Sequence, residues 1–156
     1  MSEPTENADP AQPSRGLALV VDDAPTVRMY HGGLLRAAGF TVEEAGNGFE
    51  ALEMLLVQRY DLVVTDVNMP QMDGLTLVRR LRGEALARSV PVITISTESQ
   101  ESDADAGYAA GANLYLVKPV APELLTRVAD LLTSPLPSSP TPTPSSAPSP
   151  TPGSRS

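Results

Sequence analysis

Five short strand-like stretches alternate along this chain with five segments whose apolar residues recur at helical spacing. The strand-like stretches lie at residues 17–21, 40–45, 62–65, 90–95 and 114–117. Short runs rich in Val, Ile and Leu are typical of strands that are buried on both faces. Because a helical segment follows each run, the alternation predicts an α/β fold with a parallel sheet covered by helices on both faces.

Both ends of the chain have compositions that cannot bury a core. Residues 1–15 are polar and contain three prolines, and residues 134–156 consist almost entirely of Ser, Pro and Thr. Such segments are typical of disordered extensions. We therefore expect one folded domain over residues 16–133, a disordered extension over 1–15 and a disordered tail over 134–156. Residues 153–156, Gly-Ser-Arg-Ser, are interpreted as a vector-derived remnant.

The overall charge and the residue types argue against several classes of function. The net charge is −8 without a stripe of basic residues, which is unfavourable for nucleic-acid binding. The chain has no cysteine, so it has neither a thiol nucleophile nor a disulfide. Its longest apolar run, residues 17–21, is too short to span a bilayer, and its start lacks the features of a signal peptide. We therefore expect a monomeric cytoplasmic protein that binds neither nucleic acid nor membrane.

Four of the five predicted strands deliver a chemically useful side chain at their carboxyl end. Asp22 and Asp23 follow the first strand, and the third, fourth and fifth strands lead to Asp66, Ser96 and Lys118. Taken alone, Asp66 is equally consistent with a residue that caps a turn or helix. The carboxyl ends of parallel strands, however, meet at one edge of the sheet, where open α/β sheets bind their ligands. The sequence therefore predicts a single site.

The predicted site combines three carboxylates with a lysine and a hydroxyl group. Two negative charges about 4 Å apart repel by about 4 kcal/mol at an effective dielectric constant of about 20, so the cluster needs a cation. Oxygen ligands without a neighbouring His or Cys favour Mg²⁺. Lys118 adds a point charge for a phosphoryl oxygen, and the sequence has no glycine-rich phosphate loop that would indicate a nucleotide. The pattern predicts an aspartate that accepts a phosphoryl group.

Two other polar residues are interpreted as structural. His31, the only histidine, lies on the apolar side of the first predicted helix and has no catalytic neighbour in the sequence. We interpret it as a packing residue at the edge of the core rather than a phosphoryl carrier. Asp73 is interpreted as the residue that begins the third helix.

Four motifs make the chain similar to a known family. They are LVVDD at residues 19–23, DVNMPQMDG at 66–74, Ser96-Thr97, and YLVKP at 115–119. In order and spacing they resemble response-regulator receiver domains, and among these the stand-alone CheY-like chemotaxis proteins. The resemblance covers residues 17–132. It implies a flavodoxin-like, CheY-like fold, with five parallel strands in the order 2-1-3-4-5 and five helices.

The resemblance also implies which residues bind the phosphoryl group and the metal. Asp66 is then the phosphorylated aspartate. Mg²⁺ is bound by the carboxylates of Asp22, Asp23 and Asp66 and by the backbone carbonyl of Asn68.

The resemblance further implies a switch beside the phosphorylated aspartate. Ser96 is its hydroxyl group, with Thr97 next to it, and Lys118 contacts the phosphate. The Lys118–Pro119 peptide bond is expected to be cis. Tyr115 is the aromatic residue that rotates on the output face.

Three polar residues are expected to set the lifetime of the phosphorylated state. Hydrolysis needs a water molecule in line with the bond that breaks. Asn68, two residues after the acceptor, and Glu98, two residues after Ser96, are able to orient such a water. Thr97 is bulkier than the residue usual beside the switch hydroxyl and is expected to crowd the entrance. Asn68 and Glu98 match the chemotaxis relatives that reset fast, so the resemblance implies relatively fast self-dephosphorylation, which Thr97 partly restrains.

The resemblance implies a single-domain two-component response regulator that a histidine kinase phosphorylates on Asp66. The donor would be the phosphotransfer domain of a CheA-like kinase, and the output either the flagellar motor switch protein in chemotaxis or none, in a phosphate sink. Relatives that bind the motor usually carry lysines at the start of the fourth helix. This chain has Gln100, Glu101, Asp103 and Asp105 there, which leaves the partner open.

Two alternatives remain at the level of the sequence. One alternative is a receiver domain cut from a longer regulator with another output, the Pro-rich tail being a linker. A more remote alternative is a phosphohydrolase of the haloacid-dehalogenase type, which also uses an aspartyl nucleophile and Mg²⁺. That family needs a second Asp where this chain has Asn68, and it needs a cap domain. We therefore expect a phosphoacceptor rather than an enzyme.

Overall fold

Strands and helices alternate along residues 14–134, the part of the chain that the computed structural model describes. The strands are β1 (Leu17–Val21), β2 (Thr41–Ala45), β3 (Leu62–Asp66), β4 (Val92–Ser96) and β5 (Leu114–Val117). The helices are α1 (Pro25–Ala37), α2 (Gly48–Val57), α3 (Gly74–Leu81), α4 (Glu101–Ala110) and α5 (Pro122–Thr133). Nearly all of the expected extension over 1–15 and tail over 134–156, with the remnant over 153–156, lies outside the described residues.

The five strands form one parallel sheet in the order β2-β1-β3-β4-β5. This confirms the predicted fold class and strand order. The register places Val21 opposite both Ala45 and Thr65, so the carboxyl ends of β1, β2 and β3 lie side by side. Side chains that follow these strands are therefore delivered to one edge of the sheet.

Helices cover both faces of the sheet and bury two apolar layers. Successive strand residues point to opposite faces, so Leu19 and Val21 pack on one side while Ala18 and Val20 pack on the other. The first layer is completed by α2, α3 and α4, and the second by α1 and α5. With both faces buried, the central strands are mostly apolar, with Thr65 and Thr94 as buried exceptions, and the acidic side chains of the site are confined to the strand ends.

Side-chain hydrogen bonds cap the amino termini of three of the helices. The side chains of Asn47 and Asp73 accept hydrogen bonds of 2.8 Å from backbone N–H groups in the first turns of α2 and α3. The Asp103 carboxylate accepts a bond of 3.2 Å from the Gln100 N–H at the start of α4. Asp73 thus begins α3, as predicted. Within residues 14–134, none of the helices combines the length and the apolar character needed to cross a membrane.

Three strands differ from the prediction by one or two residues at an end, and the third strand, expected over residues 62–65, extends over Leu62–Asp66. The second strand was expected from residue 40, but the Phe40 N–H donates to the Leu35 carbonyl and so closes α1. The fourth strand was expected over residues 90–95 and extends over Val92–Ser96. The Val90 N–H donates to the Ala87 carbonyl in the preceding turn. At the other end, the N–H of Lys118, directly after β5, donates to the Ser96 carbonyl, and this bond keeps Ser96 in the sheet.

Candidate functional site

The carboxyl ends of β1 and β3 bring three aspartates together. Because Val21 pairs with Thr65, Asp22 lies directly beside Asp66, the last residue of β3. Carboxylate oxygens of Asp22, Asp23 and Asp66 lie within 4.8 Å of one another. Asp22 and Asp66 are only 2% and 6% exposed, whereas Asp23 is exposed. The structure therefore assembles the predicted acidic cluster and leaves it open to solvent on the side of Asp23.

Lys118, which follows β5, supplies a positive charge to this cluster. Its Nζ lies 3.1 Å from Asp66 Oδ1 and 3.7 Å from Asp22 Oδ2. Burial, and then the charge of Asp22, raise the pKa of Asp66, while Lys118 and the backbone amide of Asn68 act in the opposite direction. The ammonium group therefore compensates only part of the cost of holding Asp66 ionised. The Lys118–Pro119 peptide bond is cis, the isomer that the family resemblance implies.

The acidic cluster has the donor set of a divalent cation site. Asp66 Oδ1 is buried, and no residue of the described chain donates a well-directed hydrogen bond to it, although the ammonium of Lys118 lies nearby. Buried carboxylates are costly unless hydrogen bonds and cations satisfy them, and among the cations of residues 14–134 Lys118 alone faces two buried carboxylates of a cluster of three. Oxygen ligands alone suit Mg²⁺. The three aspartates, together with the backbone carbonyl of Asn68 two residues after Asp66, therefore fit this ion.

Ser96 ends β4, the strand on the other side of Asp66. Its fully buried hydroxyl group donates to Asn68 Oδ1 at 3.1 Å and accepts from the Glu98 backbone N–H at 3.0 Å. The hydroxyl thus already has a donor and an acceptor. To bond a phosphoryl group on Asp66 it must exchange the contact with Asn68.

Tyr115 lies against the inner side of α4 and contacts the same loop as Ser96. Its ring is nearly buried, and its hydroxyl donates to the Glu98 carbonyl at 3.0 Å. Glu98 therefore bridges the two predicted switch residues, because its N–H bonds Ser96 and its carbonyl bonds Tyr115. Space for the ring comes from Gly107, where a β-carbon would lie 2.7 Å from Tyr115 Cδ2. The structure thus brings the two predicted switch residues into one connected set.

The three residues expected to set the phosphoryl lifetime lie on the loops after β3 and β4. Asn68, Thr97 and Glu98 are all exposed. Asn68 and Glu98 are both tied to the Ser96 hydroxyl, whereas Thr97 has no hydrogen bond to another residue within 14–134. All three therefore flank the edge at which Asp66 would carry a phosphoryl group, and Thr97 is the one held least firmly.

Arg28 is a site residue that the sequence interpretation missed. Its guanidinium donates to the Asp22 carbonyl at 2.6 Å and forms an ion pair with Glu44 on β2 at 3.0 Å. One signal was available: Arg28 lies in the first turn of α1, where a cation is unfavourable because the helix dipole is positive there. A cation in that position indicates a local acidic or carbonyl partner.

Gly74 is a second residue whose role was not recognised, since it was noted only as part of a motif. Its N–H donates to the Val67 carbonyl at 2.8 Å. A β-carbon at this position would overlap the backbone carbonyl oxygen of Asp66. The start of α3 therefore packs directly against the backbone of the candidate acceptor, a contact that no spacing in the sequence reveals.

An aspartate cluster, a lysine and a hydroxyl at the carboxyl edge of this sheet define a phosphoryl-accepting α/β domain. The family model of the response regulator receiver domain matches residues 18–130. The chain belongs to this family, as predicted. Receiver domains are phosphoacceptors rather than conventional enzymes, and they take phosphoryl groups from histidine kinases.

Three known proteins illustrate the similarity. The chain is 40% identical over 134 residues to the gliding motility regulatory protein of Myxococcus xanthus. These aligned residues are 85% of this chain and 17% of that protein. Chemotaxis protein CheY4 of Vibrio cholerae is 34% identical with a TM-score of 0.71, covering 74% of this chain and 97% of its own. The receiver domain of a Pseudomonas aeruginosa sensor histidine kinase, with a magnesium ion coordinated in its active site cleft, is 28% identical with a TM-score of 0.71, covering 77% and 98%. The chain thus spans less than a fifth of the length of the curated relative.

Proposed function

We propose that this receiver domain is a phosphorylation switch in which Asp66 accepts a phosphoryl group from a histidine kinase. The proposal depends chiefly on the surroundings of Asp66. Its carboxylate is buried at the end of β3, lies within 4.8 Å of two further carboxylates and has the Lys118 ammonium 3.1 Å from Oδ1. These are the groups that can hold a cation and a transferred phosphoryl group beside one oxygen nucleophile.

The chemistry assigns a separate task to each of these residues. A carboxylate oxygen of Asp66 attacks the phosphorus of a phosphohistidine, so a P–O bond forms while the P–N bond breaks. The electron pair of the broken bond stays on the imidazole nitrogen. Lys118 stabilises the charge on a phosphoryl oxygen. When bound through Asp22, Asp23, Asp66 and the carbonyl of Asn68, Mg²⁺ supplies further neutralisation of the transferred group.

The switch would work through the connection from Ser96 to Tyr115. A phosphoryl oxygen on Asp66 offers the Ser96 hydroxyl a charged acceptor in place of the neutral Asn68 Oδ1, and charged acceptors form the stronger bond. Movement of Ser96 displaces the Glu98 N–H that it binds, and the Glu98 carbonyl holds the Tyr115 hydroxyl. The face formed by α4, β5 and α5 would change as a result.

Self-dephosphorylation would reset this switch. Asn68 and Glu98 are placed on both sides of the Ser96 hydroxyl and can orient an attacking water, while Thr97 narrows access to it. We assign the timing of the response to these three residues.

The proposed biological setting is signalling in motility. The folded receiver would comprise residues 16–133, acting as a single-domain response regulator. The similar proteins are named as a chemotaxis protein and a gliding motility regulatory protein, which supports a CheA-like kinase as donor. The output would be the flagellar motor switch protein, or none if the chain serves as a phosphate sink.

A second candidate is the receiver part of a longer regulator with a different output. It is favoured by the coverage of the Myxococcus relative, of which this chain matches only 17%. The position of the stop codon in the encoding gene distinguishes the two candidates. A stop codon within or directly after the tail over residues 134–156 supports the single-domain protein, and a reading frame that stays open beyond the tail supports the longer regulator.

The proposal is tested by incubating the full chain with radiolabelled, phosphorylated phosphotransfer domains of histidine kinases. Wild type should become labelled, and Asp66→Asn should not. Asp73→Asn is the matched control, because Asp73 is an exposed helix cap and Asn caps helices equally well. Undiminished labelling of Asp66→Asn would place the acceptor elsewhere.

A thermal melt tests whether the loss of labelling in Asp66→Asn comes from the missing carboxylate rather than from unfolding of the variant. Because burial and Asp22 raise the pKa of Asp66, the ionised carboxylate destabilises the native state at neutral pH. Its replacement by neutral Asn should leave the melting temperature equal to or above that of wild type.

A further inference from the structure

The loop between β1 and α1 carries two of the three aspartates, and Arg28 holds the backbone of this loop. Arg28 Nη1 donates a 2.6 Å hydrogen bond to the Asp22 carbonyl, while Nε pairs with Glu44 Oε1 at 3.0 Å. Both charged side chains are largely buried, with 20% and 26% exposure. The guanidinium therefore ties the loop to β2 with two directed bonds in a partly desolvated place, where such bonds are strongest.

The carbonyl that Arg28 binds belongs to the peptide group between Asp22 and Asp23. A peptide group is planar, so the direction of its carbonyl determines how the chain enters Asp23. The Asp22 carboxylate has its own anchors, since Oδ1 accepts from the Ala24 N–H at 2.9 Å and Oδ2 faces Lys118. Asp23 is exposed, and its carboxylate has no hydrogen bond or ion pair to another residue in 14–134. The backbone is therefore what positions Asp23.

We propose that Arg28 is a positioning residue for cation binding: by holding the Asp22–Asp23 peptide group, it presents the Asp23 carboxylate to a Mg²⁺ shared with Asp22 and Asp66. This inference rests on the proposed function, because it takes the acidic cluster as the Mg²⁺ site. Glu44 contributes to this positioning, since its carboxylate binds the other side of the Arg28 guanidinium.

Charge and positioning predict opposite effects when Arg28 is removed. A cation beside the cluster repels Mg²⁺, so loss of the Arg28 charge alone would tighten Mg²⁺ binding. Loss of positioning weakens binding, and residues that orient metal ligands typically contribute tenfold or more to affinity. A weaker affinity after Arg28→Gln therefore cannot be attributed to the change in charge.

Arg36 provides the matched control. It lies on the same helix and pairs with the same carboxylate, Glu44 Oε2, at 3.3 Å. It is half exposed and makes no contact with the Asp22 carbonyl. Arg36→Gln removes the same charge from the same ion-pair network while leaving the Asp22–Asp23 peptide group held.

The experiment is a calorimetric titration of the full chain with MgCl₂. We expect Arg28→Gln to bind Mg²⁺ about tenfold more weakly than wild type, and Arg36→Gln to differ from wild type by less than about twofold, as expected of an exposed pair. Equal or tighter binding by Arg28→Gln would overturn the inference. Absence of Mg²⁺ binding by wild type would instead remove the metal site from the proposed function, so the two failures are distinct.

A second measurement separates positioning from damage to the fold. Labelling of Arg28→Gln by acetyl phosphate should be slow at low Mg²⁺ and approach the wild-type rate when Mg²⁺ is saturating, because more ion restores occupancy of a weakened site. A rate that stays low at saturation would overturn the inference. Should Arg28→Gln fail to fold in a thermal melt, Arg28→Lys keeps the charge but cannot form both directed bonds. It should bind Mg²⁺ more weakly than wild type, and equal affinity would also contradict the inference.

Discussion

Thr97 is an exposed side chain that directly follows the buried hydroxyl of Ser96. Because we propose that Thr97 crowds the approach to Asp66, we expect Thr97→Ala to speed both self-dephosphorylation and labelling by small phosphodonors by about threefold, a barrier change of less than about 1 kcal/mol. Decay of the phosphorylated full chain after removal of donor measures the first rate. Ser99→Ala, two residues further along the same loop, is the control and should leave both rates unchanged.

Unchanged rates in Thr97→Ala would remove this residue from the timer. Leucine at Asn68 or at Glu98 should instead slow decay, because an apolar side chain cannot orient water. Should all three substitutions leave the decay rate unmoved, the assignment of the timer to these loops would be wrong.

At the scale of single residues, the sequence predicts which side chains meet but not how they are held. The aspartates, Ser96 and Lys118 could be placed together because each stands at a strand end. The bond from Ser96 to Asn68 Oδ1 and the grip of Arg28 on the Asp22 carbonyl depend on rotamers and loop conformation. No spacing of residues in the sequence predicts either contact, so both were identified only from the folded structure.

Helix α4 is the element whose composition matters most for Tyr115. A β-carbon at Gly107 would lie 2.7 Å from the ring, whereas a β-carbon at Gly33 in α1 would meet no atom within 4 Å. Alanine in place of an exposed helical glycine stabilises by up to about 1 kcal/mol, and overpacking costs about 1–3 kcal/mol. We expect Gly33→Ala to raise the free energy of unfolding and Gly107→Ala to lower it, or to leave it unchanged with Tyr115 displaced outward.

Chemical denaturation measures the free energy of unfolding, and fluorotyrosine NMR reports the exposure of the Tyr115 ring. Adding Tyr115→Ala should abolish the penalty of Gly107→Ala, because the clashing ring is gone. A Gly107→Ala variant that is as stabilised as Gly33→Ala, with Tyr115 still buried, would show that the helix accommodates the methyl group by shifting.

At the scale of elements, periodicity identified all five strands and all five helices, but their ends were less certain. The ends depend on which acceptor a particular N–H chooses. Phe40 bonds back to α1 instead of entering β2, and Val90 bonds to the preceding turn. Competition between two backbone partners of similar energy is not visible in a hydrophobic pattern.

For the whole molecule, the single histidine predicts how stability depends on pH. His31 is buried, and its desolvation, followed by the charge of Lys118, lowers its pKa from 6.5, with Asp66 acting in the opposite direction. The native state therefore binds a proton less readily than the unfolded chain. Stability contributed by neutral His31 is present above about pH 6.5 and is lost as the pH falls below that value, by at most about 1.4 kcal/mol per pH unit.

Urea unfolding at a series of pH values between about 7 and about 5 measures this loss. The raised pKa of Asp66 gives a contribution of the opposite sign, since the native state takes up that proton more readily than the unfolded chain. The comparison with His31→Gln isolates the histidine, because Asp66 is present in both proteins. The variant should lose less stability than wild type on acidification, and parallel curves would contradict the prediction.

The architecture of the whole molecule was predictable at two levels. The alternation of strands and helices was sufficient to predict a parallel sheet covered on both faces, because a helix that connects two strands of one sheet usually leaves those strands parallel. The order 2-1-3-4-5 came from the family resemblance, since strands of similar length and composition carry no mark of their neighbour. The clamp formed by Arg82, which donates to the carbonyls of Gly111 and Val90, was not foreseen because it joins two distant turns.

The contact between Gly74 and the Asp66 carbonyl has a consequence for the freedom of this chain to vary. Glycine is the only amino acid without a β-carbon, so no other residue fits at position 74 unless the start of α3 moves away from β3. In a library that encodes all amino acids at position 74 and is selected for phosphoryl acceptance, we expect only glycine to survive. A comparable library at exposed position 33 should return many amino acids.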